Sequence, residues 1–483
     1  MNVAAPHDQQ ARTLTVRIGV FFDGTGNNRD NSRSTAQCRA WSSGAPLDDA
    51  SAGFCRAHGF DAQGKMPHDS YGNEPSNIAY LYELYRDQAE EVLGPEQGEV
   101  SLAVYVEGVG TTRAGPDSLY AQGTGRWGTG VLARVAQTPA KILQRLAALQ
   151  ARNPGLVVGR LVFDLFGFSR GAAEARHFAN DLLKGAKSLL AIELAGGAVQ
   201  LAGSFAWRRD SDISLNFIGL FDTVAAIVSP LVGNFRPGND VYGRLALGLA
   251  KGDARRVVQL VAADEQRENF ALVASDDDIL LPGVHADLGG GYLAQMHEQV
   301  LLSRPDRCEV NLAVADEQSP ASQRVRQVLE TQARNWQARG LMPALKVWSQ
   351  ALPFDREEYV QPVKRVFAAV QSEREVLGQL SRVYLRVMRE LAVVYDVPLA
   401  SPEGIAALAL PDELLEITEK LQAFALGQTP RWNLCEQEQH LLYSRYVHCS
   451  AHWGMPGNTS DSRLEALYLN RPASAGRAVH GNR

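Results

Sequence analysis

Ser169 lies in Gly167-Phe168-Ser169-Arg170-Gly171, a G-x-S-x-G pentapeptide of the kind that holds a nucleophilic hydroxyl on a sharp turn. A mostly apolar run, Leu161 to Phe166, broken only by Asp164, leads into it, and an Ala/Glu/Arg-rich segment follows. The pattern predicts a buried parallel strand, a tight turn and a helix. Such a turn forces the serine into a strained backbone conformation and lifts its hydroxyl above the sheet. Gly167 and Gly171 lack a Cβ, so strand and helix can approach closely there. The pentapeptide alone is a weak signal, the alternative being a mere Gly-rich strand-to-helix turn. The strand before it and the helix after it favour a nucleophile.

A serine hydroxyl needs an adjacent base, and the base needs an orienting carboxylate. In the α/β-hydrolase order the acid and then the histidine follow the serine. Strand ends are favoured, because such sites form beyond the carboxyl ends of the strands. Asp222 fits the acid, directly after the apolar Ile218-Gly219-Leu220-Phe221; the alternative is a carboxylate capping the next segment. Of the ten histidines, His7, His58, His68 and His177 precede Asp222. His177 would also stand about 12 Å along the elbow helix, at roughly 1.5 Å per residue. Six remain, His285, His297, His440, His448, His452 and His480. His285 alone follows a strand and opens a Gly-rich loop, running to Gly289-Gly290-Gly291-Tyr292. His448 and His452 stand as alternative bases. The oxyanion would be held by the N–H of Arg170 and by a second N–H from Asp23-Gly24-Thr25-Gly26-Asn27-Asn28, with Gly24 or Thr25 the candidates. Asp23 would organise that loop through hydrogen bonds. This is acyl transfer by a catalytic triad, and it calls for no metal and no cofactor.

Other signals are weaker. Gly123 to Gly130 is Gly-rich but lacks the G-K-[ST] ending of a phosphate loop and reads as a flexible loop. Residues 188–207 form the most apolar long window. They read either as a lining for an acyl chain or a lipid-touching segment, or as a buried core helix and turn. Residues 223–232 could add an apolar wall. His448 and His452 (with Cys435, His440 and Cys449 nearby), or His285 with Asp287 and Asp23, are the possible metal readings; ordinary packing is the expected role of both sets. Cys38 and Cys55 share one irregular segment and could pair, against the blander reading of five free thiols.

The elements that must position these residues alternate. Residues 14–22, 101–106, 213–221 and 278–284 read as strands, 76–92 (with Ser76 as N-cap) and 131–151 as helices. Residues 23–75 read as a long loop. Beyond about 300, residues 318–340, 356–396, 411–427 and 434–448 read as helices. The fold class is therefore α/β: an α/β-hydrolase-like, mostly parallel sheet with helices on both faces, plus a largely helical C-terminal region. The expected organisation is a catalytic domain over 1–300 with the insertion loop 23–75, a helical cap or accessory region over 301–450, and a tail, 451–483, packing back on the catalytic domain. A net charge of −6 with scattered Lys and Arg excludes a nucleic-acid-binding role. No apolar stretch is long enough for a bilayer, and MNVAAPHDQQARTLTV has no signal-peptide core. A soluble, cytoplasmic start is expected, with any export needing a carrier.

Several segments taken together resemble the type VI secretion lipase effectors, in particular the first Tle group of α/β-hydrolases. They are Val20 to Asn28, Gly167 to Ala173, Gly219 to Val224, Ala263 to Phe270, Pro282 to Tyr292, and Tyr468 to Pro472. The chain has His285-Ala286-Asp287 where that family often has His-Ser-Asp. The resemblance implies a phospholipase injected into rival bacteria, acting on membrane phospholipids from the periplasmic side. It implies Ser169, Asp222 and His285 as the triad, delivery by a secretion spike or tube protein instead of a signal peptide, and a cognate immunity protein in the producer. Two other readings of the same residues are a soluble carboxylesterase or thioesterase on small acyl substrates, and a catalytically silent hydrolase-like binding module of a secretion apparatus.

Overall fold

Leu14, Val16, Ile18, Val20 and Phe22 of strand β1 (Arg12–Phe22) join one apolar cluster, and Phe21 joins another on the opposite side of the sheet. This period of two places β1 in a sheet covered on both faces. In this computed structural model, residues 12–125, 128–226, 238, 240, 242–337, 344–354, 362–454 and 468–482 are described. The other strands of the sheet are β2 (Glu99–Val106), β3 (Leu156–Phe168), β4 (Ile213–Phe221), β5 (Arg256–Ala262) and, past the two-residue β6 (Leu272–Val273), β7 (Asp278–Leu281). They run parallel in the order β2-β1-β3-β4-β5-β7. The chain steps from β1 outward to β2, then crosses back to β3 on the other side of β1. A reversal of this kind leaves a crevice at the carboxyl ends of the two central strands. Phe22 pairs with Gly167 there, so the 23–28 loop and Ser169 leave the sheet side by side.

The 23–75 stretch is not simply a loop. It holds α1 (Arg29–Ser34), α2 (Ala36–Ser42) and α3 (Asp49–Ala57), stapled by a Cys38–Cys55 disulfide around a small apolar cluster with Phe60. Helices this short fall below the window in which helical periodicity becomes visible. Next, α4 (Asn77–Leu84) starts where Ser76 caps it, its Oγ accepting from Ala79 N at 3.2 Å, but it stops at Leu84 instead of continuing to 92. Within the Gly-rich stretch a short helix forms, α5 (Leu119–Thr124). The face of the sheet carrying Leu14 to Phe22 is covered by α6 (Val131–Arg152), α7 (Arg170–Leu182) and α8 (Leu189–Leu194).

His285 opens a one-turn helix, α9 (His285–Gly289), where a loop was expected. Beyond it, β8 (Gln295–Leu301), β9 (Asp306–Asn311), β10 (Ala344–Phe354) and β11 (Val363–Leu377) make an antiparallel sheet, packed against α10 (Pro320–Gln337). The span 356–396, expected as one helix, is therefore β11 followed by α11 (Leu380–Val393), with 355–361 outside the described residues. Val363, Val366, Phe367 and Val370 have helical spacing, yet β11 pairs with three strands at once, and tertiary pairing decides such short runs. On the second sheet face, α11 packs with α4, and α12 (Leu415–Ala425) and α13 (Glu436–Arg445) extend that cluster. The last strand, β12 (Val479–His480), pairs with β6.

Candidate active site

Between the end of β3 and the start of α7, Ser169 has φ 58° and ψ −123°. A non-Gly residue held there costs of order 1–3 kcal/mol and persists only where its surroundings over-determine it. Here its N–H donates to Phe221 O at 3.0 Å, and its carbonyl accepts from Ala172 N, Ala173 N and Val224 N at 3.1, 3.3 and 3.3 Å. A Cβ on Gly167 would lie 2.4 Å from Gly171 O, and one on Gly171 would lie 2.3 Å from Phe22 O. The two glycines are thus what lets α7 sit tightly across the ends of β1 and β3. The first N–H groups of this 13-residue helix, Arg170 onward, have no intrahelical acceptor and turn the helix's positive end toward Ser169.

Phe168 pairs with Phe221 across β3 and β4, so Asp222 leaves the sheet beside Ser169. Asp222 is fully buried, with φ 46°. Its Oδ2 accepts from His285 Nδ1 at 2.5 Å and its Oδ1 from Ala262 N at 3.1 Å. Arg477 Nη1 and Nη2 donate to the two oxygens at 2.7 and 2.8 Å. Burial alone would raise the Asp222 carboxyl; the Arg477 charge and the His285 hydrogen bond outweigh it and hold the group well below the usual carboxylate range. His285 is also buried, with the rings of Phe168 and Phe270 against it at 4.6 and 5.0 Å. Burial lowers its imidazole below the ordinary value, against the pull of Asp222. With Nδ1–H committed to Asp222, Nε2 is the nitrogen left to take a proton.

The loop after β1 is built around Asp23. Its Oδ1 accepts from Gly24 N at 2.7 Å and Ser76 Oγ at 2.5 Å, and its Oδ2 accepts from Tyr105 Oη at 2.6 Å. Burial, only partly offset by these bonds, pushes this carboxyl up to about 6. The Gly24 N–H is consumed by Asp23, which corrects its candidacy for the oxyanion. Thr25 N–H has no hydrogen-bond partner among the described residues, and its Oγ1 accepts from Arg170 Nε at 2.6 Å. Thr25 N–H and Arg170 N–H remain the candidate donors for the oxyanion.

No protein-family model matches the chain, and no curated protein matches it. Among solved structures it aligns with the Tle1 effector bound to the VgrG spike from the type 6 secretion system. The identity is 27%, over 98% of this chain and 94% of that chain, at a TM-score of 0.69. This chain is similar to a type VI secretion effector. Its fold is α/β-hydrolase-like, a mostly parallel central sheet with helices and a helical region. A second solved structure, an uncharacterized protein from Pseudomonas aeruginosa, is 19% identical over 89% of this chain and 52% of that chain at a TM-score of 0.39, too low to carry an argument.

Other sequence candidates lie elsewhere. Leu190, Ala191 and Leu194 of the 188–207 window are buried core, and Leu201 bridges to Val158 near the start of β3. At about 3.3 Å per strand residue, that is roughly 35 Å from Ser169, so this window does not line the site. Residues 126–127 of the Gly-rich stretch and 227–232 of the apolar wall lie outside the described residues. His448 and His452 do not share a helix face, because α13 ends at Arg445. His448 Nδ1 donates to Asp287 Oδ1 at 2.6 Å, and His452 contacts Tyr468 and Asn470. Among the described residues no helix is long and apolar enough to cross a membrane, and no group of three or more His, Cys, Asp or Glu is placed to hold a metal. Sequence reasoning missed Arg477 and Glu265. Glu265 Oε2 accepts from His285 N at 3.2 Å and from Arg267 Nη2 at 2.8 Å. Burial would raise Glu265, but the Arg267 charge prevails and brings it to about 2. Glu265 lies in the 263–270 segment, so a signal existed; a lone arginine in the tail gave none.

Proposed function

We propose that this protein is a serine phospholipase of the A type, an antibacterial type VI secretion effector that degrades membrane phospholipids. The observation that carries it is the buried Asp222–His285 pair, 2.5 Å apart, at the strand end next to an elbow that holds Ser169 at φ 58°. In the proposed reaction Ser169 Oγ attacks the ester carbonyl carbon while His285 Nε2 takes its proton. The N–H groups of Arg170 and Thr25 donate to the oxyanion. Collapse of that intermediate releases the lysophospholipid oxygen, protonated by His285. Water, deprotonated by His285, then attacks the acyl-serine; the acyl–Oγ bond breaks, His285 returns the proton to Ser169 Oγ, and the fatty acid leaves. Asp222 holds the tautomer and stabilises the imidazolium.

Arg170 supports a phosphate-bearing ester. Its guanidinium uses Nε on Thr25 and attracts the buried Glu174, and its two amino nitrogens have no hydrogen-bond partner among the described residues, one residue from Ser169. A desolvated cation there complements a phosphodiester. The similar effector is bound to a VgrG spike, which supports delivery by such a spike; action in the target-cell periplasm at the membrane and a cognate immunity protein in the producer belong to the same proposal.

Hydrolysis of fluorescent phospholipid in liposomes, wild type against Ser169→Ala, tests this reading. Unchanged turnover by a folded variant overturns it. Turnover of short nitrophenyl esters without liposome hydrolysis points instead to a small-substrate esterase, and no Ser169 adduct with a fluorophosphonate points to a silent binding module. Mass spectrometry of the lysolipid products assigns the ester position cut.

A further inference from the structure

Asp222 has more partners than orienting an imidazole requires. Arg477 grips both of its oxygens, at 2.7 and 2.8 Å, from 255 residues further along the chain. The Arg477 side chain is 8% exposed and that of Asp222 is fully buried. The guanidinium is itself fixed. Its Nε donates to Phe270 O at 2.6 Å, and the following residues are tied down as Ala478 O and His480 O accept from Leu272 N and Ala274 N at 2.9 and 2.8 Å. Asn482 Nδ2 anchors the segment further, donating to Leu249 O at 2.8 Å. A planar fork clamped bidentately fixes the plane of the carboxylate it holds.

The charge matters as much as the geometry. A buried carboxylate beside an imidazole raises the ring's affinity for a proton, and an imidazolium cannot take the serine's proton. The other acidic groups around His285 each have a partner of their own. Glu265, on its backbone N–H, is paired with Arg267 at 2.8 Å. Asp287 is taken by His448, and Asp264 accepts from Gly283 N and Tyr443 Oη. Arg477 is the cation in direct contact with Asp222.

We propose that Arg477 is a positioning residue of the triad: the docked C-terminal segment completes the catalytic centre by orienting Asp222 and offsetting its charge, so that His285 stays a neutral base. The inference rests on the triad reading above. It predicts a property that a merely structural tail lacks, since loss of packing lowers activity at every pH without moving the pH at which the base titrates.

The test uses the full chain as wild type, Arg477→Gln and Arg477→Lys. Two quantities are followed against pH: Ser169 phosphonylation by a fluorophosphonate, read by intact mass, and the His285 ring titration by NMR. Arg477→Gln moves the acid limb and the ring titration upward by roughly 1–2 pH units. Arg477→Lys keeps the charge but not the fork, so its limb stays in place while its plateau rate falls severalfold. An unmoved titration in Arg477→Gln overturns the inference, as does a Lys variant whose limb moves equally or whose plateau is unchanged. If Arg477→Gln does not fold, the Lys outcome decides alone. A wild type that forms no adduct overturns the hydrolase reading, and the NMR titration still decides the role of Arg477.

Discussion

The backbone N–H of Ser169 donates to the carbonyl of Phe221 at 3.0 Å, extending the β3–β4 ladder one residue past the sheet. The proposed nucleophile and the residue before the proposed acid therefore share a hydrogen bond. The proposed nucleophile and the proposed acid both sit at positive φ, 58° for Ser169 and 46° for Asp222. Strain of this kind is concentrated where function needs a side chain aimed against local preference.

Replacing Ser169 by Gly separates function from stability. Gly adopts φ 58° without the Cβ penalty, although its freer unfolded chain takes back part of the gain. The expected outcome is a variant more stable by about 1 kcal/mol in urea denaturation, with hydrolysis reduced about 10⁴-fold or more. Ser169→Ala loses the same activity without the gain in stability.

The base must be neutral to accept a proton. Burial lowers His285 below its ordinary value of 6.5, so the imidazole stays neutral as pH falls past that value. The acid limb of kcat/KM is expected below pH 6.5. Asp222→Asn removes the carboxylate that fixes the tautomer and lowers kcat about 10⁴-fold. A limb above the ordinary imidazole value would contradict the assignment of His285.

Much of this was legible in the sequence, and the parts that were not share a cause. The strands around Ile18, Phe163 and Ile218 announce themselves as apolar runs, and the serine, aspartate and histidine stand at strand ends, where local pattern suffices. Asp164 looked like an interruption. It is buried, accepting from Tyr85 Oη, Asn216 Nδ2 and Arg17 Nη1 at 3.0, 2.7 and 3.3 Å. What local pattern cannot carry is partner identity. β11 has helical spacing but is held by neighbouring strands. Arg477 has no motif around it, and Gly24 is excluded by a bond from its own neighbour. The Cys38–Cys55 pairing depends on three helices each too short to be read.

Glu174, on α7, is fully buried, and neither carboxyl oxygen has a hydrogen-bond partner among the described residues. Burial pushes its carboxyl well above 4.5, against the attraction of Arg134 and Arg170. The folded protein then keeps a proton that the unfolded chain releases as pH rises through 4.5, so stability falls with rising pH across that window. Glu174→Gln removes this dependence. The variant is expected to match wild type near pH 4 and to exceed it at pH 7, by roughly 1–3 kcal/mol, in urea melts run across pH.

The Cys38–Cys55 bridge closes a loop of sequence separation 17, worth about 3 kcal/mol of denatured-state entropy. That segment connects to the loop after β1 through Asn73 Nδ2, which donates to Gly26 O at 2.9 Å. Reduction, or Cys38→Ser with Cys55→Ser, is expected to open residues 35–70 to limited proteolysis while the sheet core survives. Equal protease resistance with and without reductant would contradict this.

On the proposed reading, the Arg170 side chain would separate phospholipid from neutral ester. Its backbone N–H is proposed for the oxyanion and survives any side-chain change, whereas its two amino nitrogens, without a hydrogen-bond partner among the described residues, are proposed for the phosphate. Arg170→Met keeps most of the side-chain volume and removes the cation. The expected outcome is a fall of roughly 10–100-fold in kcat/KM on liposomal phospholipid, the worth of one charge-assisted contact of about 1.5–3 kcal/mol. On a short nitrophenyl ester, which carries no phosphate, the fall should be far smaller. Because Arg170 Nε also holds Thr25 Oγ1, some loss on both substrates reports the loop, and only the difference between them reports the phosphate. Equal losses on the two esters would remove Arg170 from substrate recognition and leave it as a brace for the oxyanion loop.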